Sequence, residues 1–101
     1  MPDRCHSLRF KPGRLLITPG AMRLLDDAGK DALELLGRHV TGDWGNVCQE
    51  DQAANDAATA HEGDVDRQAR VLSAYETSLG RVWVITEADR SATTILLPDE
   101  Y

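Results

Sequence analysis

The chain has 101 residues, of which 42% are hydrophobic and 28% charged, and its formal net charge is -6. A chain this short has material for only one core, so we predict a single soluble domain spanning residues 1–101. No apolar run approaches the roughly 20 residues needed to span a bilayer, and the N-terminus lacks the apolar stretch of a signal peptide, so we expect a cytoplasmic protein with no membrane partner.

The negative charge is concentrated in residues 41–66, which contain seven acidic residues and no lysine or arginine. An acidic segment repels phosphates, so the charge pattern argues against direct nucleic-acid binding. The segment suits a basic protein partner or a cation. A solvated helix face is the alternative interpretation.

The first stretch, residues 1–13, includes Pro2, Pro12 and Gly13, and we predict an extended or flexible arm. Residues 14–18 form a short apolar run of strand length. The same run also suits an extended lead-in to a helix.

Two amphipathic helices are predicted within residues 18–40. Thr18 is a suitable N-cap, because its hydroxyl can accept from a free N–H of the first turn. Gly29 is predicted to end the first helix, and the alternative is a continuous helix at a cost of about 1 kcal/mol for that glycine. Arg38 and His39 fall in the last turn of the second helix, where positive charge faces the negative end of the dipole.

The sequence GDWG, residues 42–45, interrupts this pattern, since its two glycines permit a sharp turn around Trp44. Asp43 is a candidate acceptor for the indole N–H. Trp44 is either an exposed binding anchor or a plug between helices and sheet. A third, acidic helix is predicted to follow, with Asn46 as a suitable N-cap and Gly63 closing the segment.

The last third of the chain changes to strand character. Residues 69–77, 81–88 and 92–98 are rich in β-branched and aromatic residues, and Gly80 suits a hairpin turn between the first two. We therefore predict an α+β two-layer fold, with N-terminal helices packed on a C-terminal antiparallel three-stranded meander and a fourth short strand near 14–18 as an option. The edge strands of so small a sheet can pair between subunits, so a homodimer is a candidate assembly.

Three stretches, GDWG, SAYETS and VWVITEADRSATTILLP, carry a resemblance that extends over most of residues 15–101. The chain resembles small uncharacterised bacterial proteins of about this length that are often labelled plasmid-related or hypothetical. The resemblance implies a mobile-element setting and no particular activity, cofactor or catalytic residue. Small acidic proteins from that setting include inhibitors of restriction and CRISPR systems, toxins and antitoxins.

The acidic segment supplies the candidate partner-binding residues, which are Asp43, Trp44, Glu50, Asp51, Asp56, Glu62 and Asp64. A stripe of carboxylates can imitate the charge of a nucleic-acid backbone and block a basic groove. We therefore predict a small acidic protein-binding module whose partner is a basic bacterial protein or nucleoprotein complex. An inhibitor of the anti-restriction or anti-CRISPR type, or a plasmid accessory factor, would act in this way.

The alternative function is a small hydrolase, such as a ribonuclease-like toxin, with Glu87, Asp89 and Arg90 as its catalytic residues. A carboxylate pair beside an arginine can move a proton and stabilise a developing anion. The structural alternative is an Asx turn from Asp89 to Ser91, with Arg90 paired to an acid at the surface.

The thiols and imidazoles of the chain are Cys5, His6, His39, Cys48 and His61. Their spacing fits no zinc-finger or knuckle pattern, so we predict no metal site and no cofactor. Cys5 and Cys48 are expected to be free thiols in a reducing cytosol. Cys48 at the start of a helix would gain some reactivity, but no base accompanies it in the sequence.

Overall fold

The computed structural model describes residues 8–60, 62, 64 and 68–101. Within these residues, three helices and a four-stranded mixed sheet form the predicted α+β fold. No helix in this part of the chain combines the length and the apolar character needed to cross a membrane.

Two separate helices follow the first strand, as the caps predict. Helix α1 (Pro19–Ala28) begins at Thr18, whose hydroxyl accepts from the Ala21 N–H over 3.1 Å. Gly29 ends it with φ of 70°, the left-handed conformation that glycine adopts without strain. Helix α2 (Ala32–Val40) begins at Asp31, which accepts from the Leu33 N–H. The alternative of one continuous helix is therefore wrong.

The strands are β1 (Arg14–Ile17), β2 (Val71–Thr77), β3 (Gly80–Thr86) and β4 (Ala92–Leu96). They lie in the order β1-β4-β3-β2. Strands β2, β3 and β4 form the predicted antiparallel meander, and β1 adds the optional fourth strand, parallel to β4. A short 3-10 turn, Pro98–Glu100, follows β4.

One face of the sheet carries the core, because alternate residues of a strand point to the same side. The main cluster comprises Ala21, Leu25, Leu35, Tyr75, Val82, Val84 and Ile95. A second cluster comprises Phe10, Val40, Trp44, Ala58 and Val71. Helices α1 and α2 cover the first cluster, so the two-layer arrangement places the helical half of the chain over one face of the sheet.

Residues 8–13, here called the N-terminal strap, have no regular secondary structure but pack on the second cluster. Phe10 is only 2% exposed. The Arg9 N–H donates to the Val40 carbonyl, and the Pro12 carbonyl accepts from the Thr93 hydroxyl over 2.7 Å. The strap is therefore part of the fold, and the rest of the predicted arm, residues 1–7, lies outside the described residues.

The outer edge of β2 is closed by side-chain and backbone groups of the chain itself. The Asn55 amide donates to the Leu72 carbonyl over 2.6 Å and accepts from the Leu72 N–H over 3.1 Å. Further along, Ala74 donates to the Trp44 carbonyl and accepts from the Asn46 N–H. Asn46 therefore pairs with the sheet instead of capping the third helix, which begins at Gln49.

Candidate functional site

Helix α3 (Gln49–Ala60) displays much of the acidic segment on the surface of the protein. Of its 12 residues, only Asn55 and Ala58 are buried. Glu50 and Asp51 lie in its first turn, where a negative charge interacts favourably with the helix dipole. Helix α3 thus packs on the sheet through a narrow buried stripe and exposes most of its surface to solvent.

Asp56 holds two parts of the fold together. Its Oδ1 accepts from the Trp44 indole N–H over 3.0 Å and from Arg9 over 3.0 Å. The indole therefore donates to Asp56 and not to Asp43. Trp44 is 6% exposed and stacks near Phe10, so its ring fills the space between the strap and the helices. This burial matches the plug interpretation, and the ring offers no exposed anchor.

Asp43 fixes the turn that precedes Trp44. It accepts from Arg38 over 2.8 Å and from the Gly45 N–H over 3.2 Å. The hydrogen bond from Arg38 holds the pKa of the Asp43 carboxyl below its usual value. Its backbone carbonyl accepts from the Tyr75 hydroxyl over 2.6 Å.

The structure divides the predicted partner-binding residues into two groups. Three acids pair with arginines of the same chain: Asp43 with Arg38, Asp56 with Arg9 and Glu62 with Arg90. Glu50, Asp51 and Asp64 are exposed. The carboxylates of Glu50 and Asp51 make no hydrogen bond or ion pair with any residue that the structure describes. The exposed, unpaired charge of α3 is therefore narrower than the sequence pattern suggests.

Arg90, at the centre of the other candidate site, is a buried structural residue. Its side chain is 7% exposed, and its Nε and Nη2 donate to the Glu62 carboxylate over 3.0 to 3.2 Å. Its Nη1 donates to the carbonyls of Ala69 and Glu87, and its guanidinium lies 5.4 Å from the Phe10 ring centroid. Arg90 also has φ of 62°, which is uncommon for a residue other than glycine. All three guanidinium nitrogens are thus engaged within the protein.

The two carboxylates predicted to act with Arg90 do not pair with it. Asp89 accepts from the Ser91 N–H over 2.9 Å, which is the Asx turn that the sequence offered as the structural alternative. Glu87 is exposed, and its backbone carbonyl, not its carboxylate, accepts from Arg90. The acid that pairs with Arg90 is Glu62, and the pair is largely buried instead of lying at the surface.

A chain of polar side chains crosses the buried face of the sheet. His39 on α2 is fully buried, with Nδ1 2.5 Å from the Ser73 hydroxyl and Nε2 2.9 Å from the Thr86 hydroxyl. Thr86 lies 2.6 Å from the Thr93 hydroxyl, which donates to the Pro12 carbonyl over 2.7 Å. This series of hydrogen bonds links α2, three strands and the strap.

The direction of each hydrogen bond in this chain follows from its last member. The only hydroxyl proton of Thr93 goes to the Pro12 carbonyl, so Thr86 must donate to Thr93. Thr86 then accepts from Nε2–H of His39, and in the neutral imidazole Nδ1 accepts from the Ser73 hydroxyl. The imidazole is neutral in this arrangement. Burial, together with the nearby positive charge of Arg90, lowers the pKa of His39 to about 3.

The sequence pattern does not indicate this buried series of hydrogen bonds, because it places His39 with Arg38 at the end of α2, where a positive charge would face the helix dipole. A signal was nevertheless present, because Thr86 shares the parity of Val82 and Val84 on β3 and so had to face the core. An inward threonine on an apolar strand face needs a polar partner, and His39 provides one.

Cys48 is an exposed free thiol just before α3. Of the other thiols and imidazoles, Cys5, His6 and His61 lie outside the described residues. Among the residues that are described, no three metal-ligating side chains come together.

We find no match to this chain among protein-family models, among curated proteins or among solved structures. The resemblance to plasmid-related bacterial proteins therefore stays a prediction.

Proposed function

We propose that the protein is a small acidic binding module of the cytoplasm whose helix α3 contacts a basic surface of a bacterial protein or nucleoprotein complex. The observation that carries the proposal is the exposure of α3, which buries only Asn55 and Ala58 and leaves Glu50 and Asp51 unpaired. A helix that contributed only to stability would bury a wider apolar stripe.

The charge arrangement supports a basic partner. The chain carries a net charge of -6, and α3 contains acids but no lysine or arginine. Because Asp56 is already neutralised by Arg9, the charge open to a partner lies at the N-terminal turn, on Glu50 and Asp51. Complementary charge of this kind raises the rate of encounter and orients the partner.

The middle of α3 is suited to close contact. Ala53, Ala54 and Ala57 are exposed and lie next to the acidic turn. Methyl side chains lose no rotamer entropy on binding, and they let another surface approach the helix closely. A partner groove that normally holds a phosphate backbone would contact the carboxylates at the N-terminal turn of α3 and the short alanine side chains in its middle. Such a contact is the kind that an anti-restriction or anti-CRISPR inhibitor or a plasmid accessory factor would make.

The test is a pair of charge-neutralising variants with equal charge change. Glu50→Gln with Asp51→Asn removes the acidic turn of α3, and Asp26→Asn with Asp27→Asn removes an exposed acidic pair from α1. Each immobilised protein is incubated with a bacterial lysate, and the captured proteins are identified and quantified. We expect the α3 variant to lose a basic protein that the wild type and the α1 variant retain.

Two further results would decide the matter. Capture should weaken as salt rises, because exposed charges are screened beyond about 10 Å at 0.1 M ionic strength. Equal capture by the two variants would refute the role of α3. Asp56 is unsuitable for the test, since replacing it would also remove the acceptor of Trp44 and Arg9.

We do not propose the hydrolase alternative. Its arginine donates to Glu62 and to backbone carbonyls with every nitrogen, so no guanidinium N–H is directed at a substrate. Electrostatic catalysis needs donors aimed at the position where negative charge develops.

A further inference from the structure

The two edges of the sheet are treated differently by the fold. The β2 edge is closed by Asn55 and by the turn around Trp44. The other edge is β1 (Arg14–Ile17), whose one neighbouring strand in the described part of the chain is β4. A strand edge with unpaired N–H and C=O groups is a template for another strand unless the protein protects it.

The open backbone groups of β1 follow from its pairing with β4. The Arg14 N–H donates to the carbonyl of Ser91, just before β4, and the Thr18 N–H donates to the carbonyl of Ile95 in β4, over 3.0 Å each. Since alternate residues of a strand bond to the same side, Leu16 also faces β4 and the groups of Leu15 and Ile17 face outward. The outward residues carry neither the proline nor the lysine that commonly blocks an edge.

Two apolar side chains of this edge are exposed. Leu15 is 39% exposed on the helix-covered face of the sheet, and Leu16 is 42% exposed on the opposite face. Apolar side chains therefore flank the open backbone groups on both sides of the strand. Burying them against another strand would remove apolar surface from water while pairing the backbone.

We propose that two copies of this chain pair through β1 in antiparallel orientation, with the two-fold axis at Leu16. In this register the outward residues Leu15 and Ile17 of one copy exchange backbone hydrogen bonds with Ile17 and Leu15 of the other. Leu16 meets its own counterpart at the axis. The two four-stranded sheets then form one continuous eight-stranded sheet, which is the closed, isologous arrangement expected of a dimer.

Charge complementarity favours a second copy as the occupant and favours this register. Arg14 is exposed, and its guanidinium has no partner among the residues that the structure describes. Pairing about Leu16 sets Arg14 opposite Thr18 of the other copy. The Thr18 hydroxyl donates to Glu100 over 2.6 Å, so each Arg14 meets a carboxylate of the other copy. Opposite charges placed across a strand pair stabilise it.

The neighbouring register is less suitable. An axis at Leu15 would require Gly13 to pair with Ile17 of the other copy. Gly13 has φ of 67°, which is not an extended conformation. The backbone is therefore straight over the residues that the Leu16 register uses and bent just before them.

The interface is small, because β1 has only four residues. We accordingly expect a weak dimer, seen by sedimentation equilibrium as the concentration rises from about 10 μM to about 1 mM. Leu16→Lys places two ammonium groups face to face at the axis and should leave a monomer throughout. Leu33→Lys, at a leucine of α2 that is 64% exposed, is the matched control and should associate like the wild type.

The results divide cleanly. A wild type that stays monomeric at the highest concentration overturns the proposal, and so does a Leu16→Lys variant that dimerises as well as the wild type. A trimer or an open series of oligomers would also overturn it, because an isologous contact closes at two. In the case of a monomer, the β1 edge would be left for an extended peptide of another protein.

A charge swap tests the register. Arg14→Glu should raise the dissociation constant by about tenfold, because the new carboxylate of each copy would lie beside Glu100 of the other. Adding Glu100→Arg restores opposite charge and should recover the affinity, with circular dichroism confirming the fold of each variant. A double variant no tighter than the single one would refute the Leu16 register. The β1 edge lies at the opposite end of the sheet from α3, so this proposal stands or fails independently of the proposed function.

Discussion

Acidification is expected to destabilise the protein through His39. The imidazole is fully buried, its two nitrogens are bonded to the Ser73 and Thr86 hydroxyls, and burial and the nearby Arg90 charge disfavour its protonated form. Its pKa is about 3 in the folded protein, against 6.5 for an ordinary histidine. The unfolded chain therefore binds a proton at this site below pH 6.5 while the folded protein does not.

The sign and size of the effect follow from these two values. Because the folded protein holds the pKa of this base below its unfolded value, the contribution of His39 to stability is fully present above about pH 6.5 and is lost as the pH falls toward 3. At about pH 5 the loss is about 2 kcal/mol relative to about pH 8, because 1.36 kcal/mol accompanies each pH unit once the unfolded group is protonated. The loss approaches about 5 kcal/mol near the folded pKa.

The assay is urea unfolding followed by circular dichroism at a series of pH values, for the wild type and for His39→Gln. Glutamine retains one donor and one acceptor but does not titrate, so we expect a variant that is less stable at neutral pH and nearly flat down to about pH 5. The other two histidines are common to both proteins and cancel in the comparison. Parallel pH curves for the two proteins, or an NMR pKa of His39 near 6.5, would refute the buried neutral imidazole.

Three further substitutions test individual positions of the fold. Gly45→Ala should lower the free energy of unfolding by about 2 kcal/mol or more, because φ is 73° and the new Cβ would lie 2.1 Å from the Ala74 carbonyl oxygen. Gly37→Ala is the control: its Cβ would lie in open space on α2, so it should raise the free energy of unfolding by up to about 1 kcal/mol. Arg90→Ala should lower the free energy of unfolding by about 2 to 3 kcal/mol, because the variant leaves Glu62 and several carbonyls without a donor. A melting temperature equal to or above that of the wild type would contradict this structural role of Arg90.

The local features of the fold were predictable because each has a short-range physical cause. Thr18 and Gly29 mark the ends of α1 through one hydroxyl and one left-handed residue. Gly80, with φ of 148°, allows the tight turn between β2 and β3. In each case the deciding interaction lies within a few residues of the signal.

The features that the sequence did not determine depend on contacts between distant residues. Residues 41–66 contain no lysine or arginine, yet Arg9, Arg38 and Arg90 reach three of the acids in this segment from outside it. Likewise, nothing near Arg90 indicates that its partner is Glu62. Charge counted along a sequence therefore overestimates the charge that a folded surface offers.

The pairing of β1 with β4 has a consequence for synthesis of the chain. Arg14 aligns with Ala92 and Ile17 with Ile95, so a strand made early finds its neighbour only after residues 92–95 have left the ribosome. Until then Leu15 and Leu16 are exposed on a nascent chain with no strand to pair with, the kind of interval in which chaperones act. A product that stopped before residue 92 would lack β4, the strand through which β1 joins the rest of the sheet, so synthesis of residues 92–96 is needed to complete the fold.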